Sequence, residues 1–245
     1  SARKALGSLL EAIRLNKIGF DAENIKVSVK LLFTTLYENA VDSFGLSYDA
    51  VNRLCAAAKE DKTGTYERLV NIELLTTIAK NNVHDIRFAY DELDSICNSA
   101  KKDKTGTYKR FFSTKLLTTI AKNVGHEVTY PETTFGVYGL LNKFYKKATE
   151  DETGTYERLV DIDLLEKIAE NAFIATYDTY SALWGLCSAA KAGNITGVTI
   201  DKVRTLFITI AEKEGEPSRA DAYKALNSLC AAAKAGNITG VTIEK

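Results

Sequence analysis

The chain contains no methionine, two prolines (Pro131 and Pro217) and two histidines (His84 and His126) in 245 residues. Each scarcity excludes something. Low proline with only 15 glycines is neither a disordered nor a collagenous composition. Charge of one sign is not in excess: 32 basic residues face 32 acidic ones. A balanced chain gives no general reason to expect nucleic acid or an anionic membrane as partner. No apolar run approaches the roughly 18–20 residues that span a bilayer, so membrane insertion is not expected. No phosphate loop or dinucleotide fingerprint is present, and no cofactor is expected. The missing methionine and the start at Ser1 point to a processed or engineered beginning.

What is present is a repeat. Tyr48, Val51, Leu54, Cys55 and Ala58 lie at offsets 0, 3, 6, 7 and 10, which is one stripe of an α-helix. The stripe returns as Tyr90, Leu93, Ile96, Cys97 and Ala100, and again as Tyr138, Leu141, Phe144, Tyr145 and Ala148. Two later copies start at Tyr180 and Tyr223, and an earlier one reads Arg3, Leu6, Leu9, Leu10 and Ile13. We name this segment helix A. A second stripe, helix B, follows as Leu74, Leu75, Ile78 and Ala79, and as Leu116, Leu117, Ile120 and Ala121. Related stripes span Leu32 to Leu36, Leu164 to Ala169 and Leu206 to Ala211.

Between A and B runs a turn: Thr63-Gly64-Thr65-Tyr66, Thr105-Gly106-Thr107-Tyr108 and Thr153-Gly154-Thr155-Tyr156, later Thr196-Gly197-Val198-Thr199 and Thr239-Gly240-Val241-Thr242. Glycine is expected to end helix A in the left-handed region, and the next threonine to cap helix B. Acidic residues such as Glu67, Glu157 and Asp201 suit the positive end of a helix dipole.

The helix A tyrosines are spaced 42, 48, 42 and 43 residues apart, the long interval coming from extra residues around Gly125 to Thr134. The predicted fold is all-α: an α-solenoid of about 5.5 two-helix copies with a period near 42, forming one domain over residues 1–245. It resembles HEAT and armadillo repeats in architecture only, since the residue signatures of those families are absent. About eleven helices and almost no strand are expected, with the A stripes buried between neighbouring copies. The chain closes at Lys245, just after a turn that starts another B helix. That end reads as a fragment of a longer array or one completed by a neighbour.

Cys55, Cys97, Cys187 and Cys230 share the core stripe. Stacked helices lie about 8–10 Å apart, whereas a disulfide needs Cα atoms within about 7 Å. Free, buried thiols follow, and the lack of Cys-x-x-Cys or Cys/His clustering argues against a metal site. His84 and His126, again 42 apart, read as link residues and not as a catalytic pair. The turn around Gly106 echoes part of a calcium loop, but Lys101 and Phe112 stand where its first and last carboxylates belong. Asn194-Ile195-Thr196 and Asn237-Ile238-Thr239 are formal glycosylation sequons, read here as helix-ending turns.

Charge is uneven along the chain. Lys101, Lys102, Lys104, Lys109 and Arg110 crowd the third copy beside Phe111 and Phe112, while the fourth copy is rich in Asp and Glu. These seven residues form the candidate partner surface, because aromatic and arginine side chains carry energy at interfaces. Adjacent residues on a helix diverge by about 100°, so one ring is expected in the core and the other nearer the surface. The competing reading is a set of ordinary solvated faces that pair with one another.

With no catalytic constellation in view, the expected function is a non-enzymatic protein-interaction scaffold. A self-assembling building block of a filament or surface layer is the alternative, and an enzyme with a site in a groove the weakest reading. The partner is thus a protein or a second copy of the chain. Free thiols favour a cytoplasmic, reducing setting, and the start at Ser1 allows a cleaved secretory leader, so localisation stays open between the two.

Overall fold

The computed structural model describes residues 2–39, 44–81, 86–123, 133–171, 176–212, 216–238 and 240–242. His84, His126 and Pro131 lie outside the described residues. The described chain is mostly helical, with thirteen α-helices, a 3₁₀ turn at Thr107–Arg110 and two strands of two residues each. It divides into two compact units, residues 1–106 with 112–139, and residues 107–111 with 140–245.

The first unit holds α1 (Ala2–Arg14), α2 (Ile25–Asn39), α3 (Phe44–Glu60), α4 (Thr65–Leu69), α5 (Ile72–Asn81), α6 (Ile86–Lys102) and α7 (Thr114–Asn123). The A helices are α1, α3 and α6; the B helices are α2, α5 and α7. Helix α8 (Thr134–Thr149) gives its first residues to this unit and the rest to the second. The second unit continues with α9 (Thr155–Leu159), α10 (Ile162–Asn171), α11 (Thr176–Lys191), β1 (Ile195–Thr196), α12 (Ile200–Glu212), α13 (Glu216–Lys234) and β2 (Val241–Thr242).

Packing inside each unit follows one rule. In the first unit α3 lies against α1 and α6, so A helices neighbour A helices, while α5 lies against α2 and α7. Each B helix also touches the A helix that follows it, α2 on α3 and α5 on α6. In the second unit α11 packs on α13, α10 on α12, and α10 and α12 on the following α11 and α13.

The A stripes of α3, α6 and α8 are buried at all five positions. The first and last A helices differ. Leu10 of α1 is 48% exposed and Leu229 of α13 is 38% exposed. In the first unit α3, whose stripe is fully buried, lies between α1 and α6.

More helices form than the stripes alone predict, because B is not one segment. The turn first makes a short helix, α4 or α9, or the 3₁₀ turn, and the long B helix starts afterwards. Its cap comes from the residue just before it. Asn71 Oδ1, Ser113 Oγ and Asp161 Oδ1 accept from the main-chain N–H groups of Leu74, Leu116 and Leu164 at 2.7, 2.9 and 2.9 Å. Thr65 and Thr155 do not cap the long B helix as expected, whereas Thr199 accepts from Lys202 N–H at 3.4 Å at the start of α12.

Gly64 and Gly154 do adopt left-handed φ of 70° and 62°, but they are N-cap residues of α4 and α9. The organiser of these turns is an aspartate. Asp61 Oδ1 accepts from Thr63 N–H and Oγ1–H at 2.8 and 2.6 Å, and Oδ2 accepts from Tyr66 N–H at 3.1 Å. Asp151 repeats all three bonds with Thr153 and Tyr156. At the Gly106 turn, where the calcium-loop echo lies, Asp103 Oδ1 likewise accepts from the N–H groups of Thr105 and Gly106 at 2.8 and 3.2 Å. At the end of α11 the left-handed residue is Gly193, φ 74°, with Asn194 N–H donating to Ala189 O, so Asn194 follows the terminator. Beyond it, β1 and β2 pair in parallel, Ile195 with Val241 and Thr196 with Thr242.

Candidate protein-interaction surface

The first unit carries an open apolar groove of about 840 Å³ between α1 and α2. Leu6, Leu10 and Ile13 recur at helical spacing along one face of α1 and form one wall. Val29, Phe33 and Tyr37 form the other wall at four-residue spacing on α2. Tyr48 of α3 closes the end, its ring stacked on Phe33 with centroids 5.8 Å apart. The charged residues that line the groove are Arg14, Lys26 and Lys30, all cationic.

The groove follows from the position of α1 in the packing. In α3 the equivalents of Leu6, Leu10 and Ile13 are Val51, Cys55 and Ala58, and each is fully buried. Helix α2 is apolar on more than its core face. Leu32 and Leu36 are buried against the rest of the unit, while Val27, Leu31 and Tyr37 are 68%, 54% and 66% exposed. Arg3 at the tyrosine position and large aliphatics in the first stripe were the available sequence signals.

A second cavity of about 530 Å³ lies between the loop at Gly19 to Asp21, α2 and α5. Its carboxylates, Asp21, Glu67 and Glu73, stand among threonines. Glu73 is paired with Lys122 at 2.9 Å. The hydroxyls of Thr76 and Thr114 donate to the main-chain carbonyls of Ile72 and Arg68 at 2.8 and 2.6 Å.

The seven residues singled out in the sequence divide between the units. Lys102, Lys104 and Lys109 are exposed, and Lys101 and Arg110 half-buried. Arg110 is engaged within the second unit: its Nη2 donates to the carbonyls of Glu157 and, at 3.4 Å, Val160, at the end of α9. Both rings are buried, Phe111 fully and Phe112 at 3% exposure. The expectation of one ring near the surface fails because Phe111 and Phe112 lie in the break before α7, where the angular spacing of a helix does not apply. Phe111 joins an aromatic cluster in the second unit, edge-on to Phe144 at 5.5 Å. The acidic residues of the fourth copy are partly consumed within the same unit, Asp151 by Lys191 at 3.0 Å and Asp161 by Arg204 at 2.8 Å.

The four cysteines are free and buried. Burial pushes the Cys55 thiol up to about 12 and the Cys230 thiol to about 11, and raises those of Cys97 and Cys187 as well. Thiols held this far from ionisation are poor nucleophiles. Among the described residues no group of three His, Cys, Asp or Glu side chains could hold a metal ion. None of the described helices is long and apolar enough to cross a membrane. No protein-family model matches the sequence, no curated protein matches it, and no solved structure matches its fold.

Proposed function

We propose that the chain is a non-enzymatic helical-repeat protein, an α-solenoid of about 5.5 two-helix copies over residues 1–245, that acts as a protein-interaction scaffold. Support for the repeat comes from packing devices that recur inside each unit. The tyrosine hydroxyls of Tyr90 and Tyr138 in the first unit, and of Tyr180 and Tyr223 in the second, each donate to a carbonyl of the preceding B helix. The observation that carries the scaffold reading is the apolar groove between α1 and α2, where Leu10 and Tyr37 stand open to solvent. Contiguous exposed apolar surface with a polar rim marks association sites. The lysines at 101, 102, 104 and 109 supply a second, polar contact region.

The test is position-specific photo-crosslinking in extract from the source organism. A photoreactive residue at Leu10 or Tyr37 should give a protein adduct of defined mass, and one at Lys104 or Lys109 a weaker adduct. Adducts at none of these positions would overturn the scaffold reading. Self-assembly is the second reading, favoured by the exposed Leu10 and Leu229 on the first and last A helices. It requires mass in dilute solution to rise with concentration.

A further inference from the structure

We infer that the α1–α2 groove seats an amphipathic α-helix of B-helix pattern, two adjacent aliphatics followed by Ile-Ala a turn later, with an acidic polar face. The inference rests on the scaffold reading and names its partner chemistry. Its first ground is the packing rule. A B helix lies against the A and B helices of the next copy: α2 against α3 and α5, α5 against α6 and α7, and in the second unit α10 against α11 and α12. The seat of a B helix is therefore formed by the A and B helices of the next copy. Helices α1 and α2 are such a pair, and the apolar groove lies between them.

The seat is chemically ready. Leu6, Leu10, Val29 and Phe33 present the apolar surface that a Leu-Leu-x-x-Ile-Ala stripe needs. Burying each aliphatic of such a ligand favours binding, against the ordering cost of the helix.

Charge selects among B-type helices. The charges around the seat, Arg14, Lys26 and Lys30, are all positive. Arg3 stands at the stripe position where inner copies place the tyrosine that bonds to the seated helix. The B helices of this chain illustrate both charge types on one stripe. Helix α10 carries Asp163, Glu166 and Glu170 against a single lysine, whereas α7 carries Lys115 and Lys122. Complementarity favours the α10 type, with a salt dependence that exposed charges impose.

The test uses two helix-stapled, fluorescent peptides added to the full chain. One has the sequence of residues 161–171 and the other that of residues 113–123. The acidic peptide should bind at least about tenfold more tightly than the basic one at low salt, with the gap narrowing as salt rises. The Leu10→Glu substitution, at a half-exposed site that should leave helicity unchanged, should abolish binding. Leu31→Glu, on the exposed side of α2 away from the groove, should not. Lys26→Glu with Lys30→Glu should reverse the peptide preference. Equal binding of the two peptides, or binding that survives Leu10→Glu, overturns the proposal. So does a chain dimer that Leu10→Glu dissolves and neither peptide displaces, which would make a second copy the occupant. If neither peptide binds but photo-crosslinking at Leu10 still captures a protein, the helix inference fails and the scaffold reading survives. If both fail, so does the scaffold reading.

Discussion

The phenol of Tyr90 donates a 2.7 Å hydrogen bond to the main-chain carbonyl of Leu75, fifteen residues earlier and in the middle of α5. That carbonyl sits inside a helix, so the phenol uses its second lone pair, and a buried hydroxyl is satisfied without breaking the helix. Tyr180 bonds Leu165 in the same way at 2.9 Å. Tyr90→Phe keeps the ring and leaves no buried donor without a partner. It should cost about 0.5–1.5 kcal/mol. The midpoint of urea unfolding at constant slope measures this. Tyr90→Ala, which empties the site, should cost at least twice as much.

Acid should weaken the second unit through Asp151. Burial opposes the charge of its carboxyl, but bonds from Thr153, Lys191 and the N–H of Tyr156 outweigh that penalty and hold its pKa below the ordinary carboxylate range. A folded value below the unfolded one means that the unfolded chain binds more protons in the window between them. The stabilisation is therefore complete above about pH 4 and is lost as pH falls through the folded value. Asp151→Asn should lower stability at pH 7 by about 1–3 kcal/mol. It should also flatten the decline below pH 4. Urea midpoints of both proteins at pH 7, 4 and 2.5 give the comparison, and parallel curves would contradict it.

Arg110 and Lys109 are neighbours in sequence with different tasks. Arg110 donates to the carbonyls of Glu157 and Val160, whereas the Lys109 side chain is exposed. Arg110→Ala should destabilise by about 1.5–3 kcal/mol, the range for a bond to a charged group. Lys109→Ala should stay within about 0.5 kcal/mol. Charge reversal of the basic patch is informative only when Arg110 is left in place. Thermal melts of the two alanine variants measure the contrast.

Thiol accessibility reports the packing of the A stripes. The folded protein at pH 8 should react slowly with a disulfide reagent, because burial raises all four thiols. Cys230, raised least among those with a stated value, should react first, and four thiols should titrate after unfolding without reductant. A count below four would mean intramolecular pairing and would contradict the packing.

The stripes of α3 and α6 could be read from sequence because burial on a helix face imposes a 3.6-residue period, and Tyr48 to Ala58 and Tyr90 to Ala100 obey it. Periodicity says nothing about hydroxyl partners, so the link from Tyr90 to Leu75 had no signal beyond the recurrence of tyrosine. Helices α4 and α9 are too short to show a period, and the capping roles of Asn71, Ser113 and Asp161 were hidden by the more conspicuous threonines of the turn. The groove was missed for another reason. A stripe reveals which face is apolar, and Leu6 and Leu10 look like core until the structure shows which neighbour α1 has.

At the end of α2, the amide of Asn39 donates to the carbonyl of Ala79 at 3.1 Å, and at the end of α5 the amide of Asn81 donates to Ala121 at 2.8 Å. Aliphatic stripes by themselves permit neighbouring helices to slide by one turn, about 5.4 Å, with little loss of contact. A directional bond weakens steeply once its angle is spoiled, so each asparagine acts as a detent against sliding along the helix axis. The three B helices of the first unit should then be stiff to shear and compliant to bending. Drawn lengthwise, they would yield in discrete slips, one for each asparagine released.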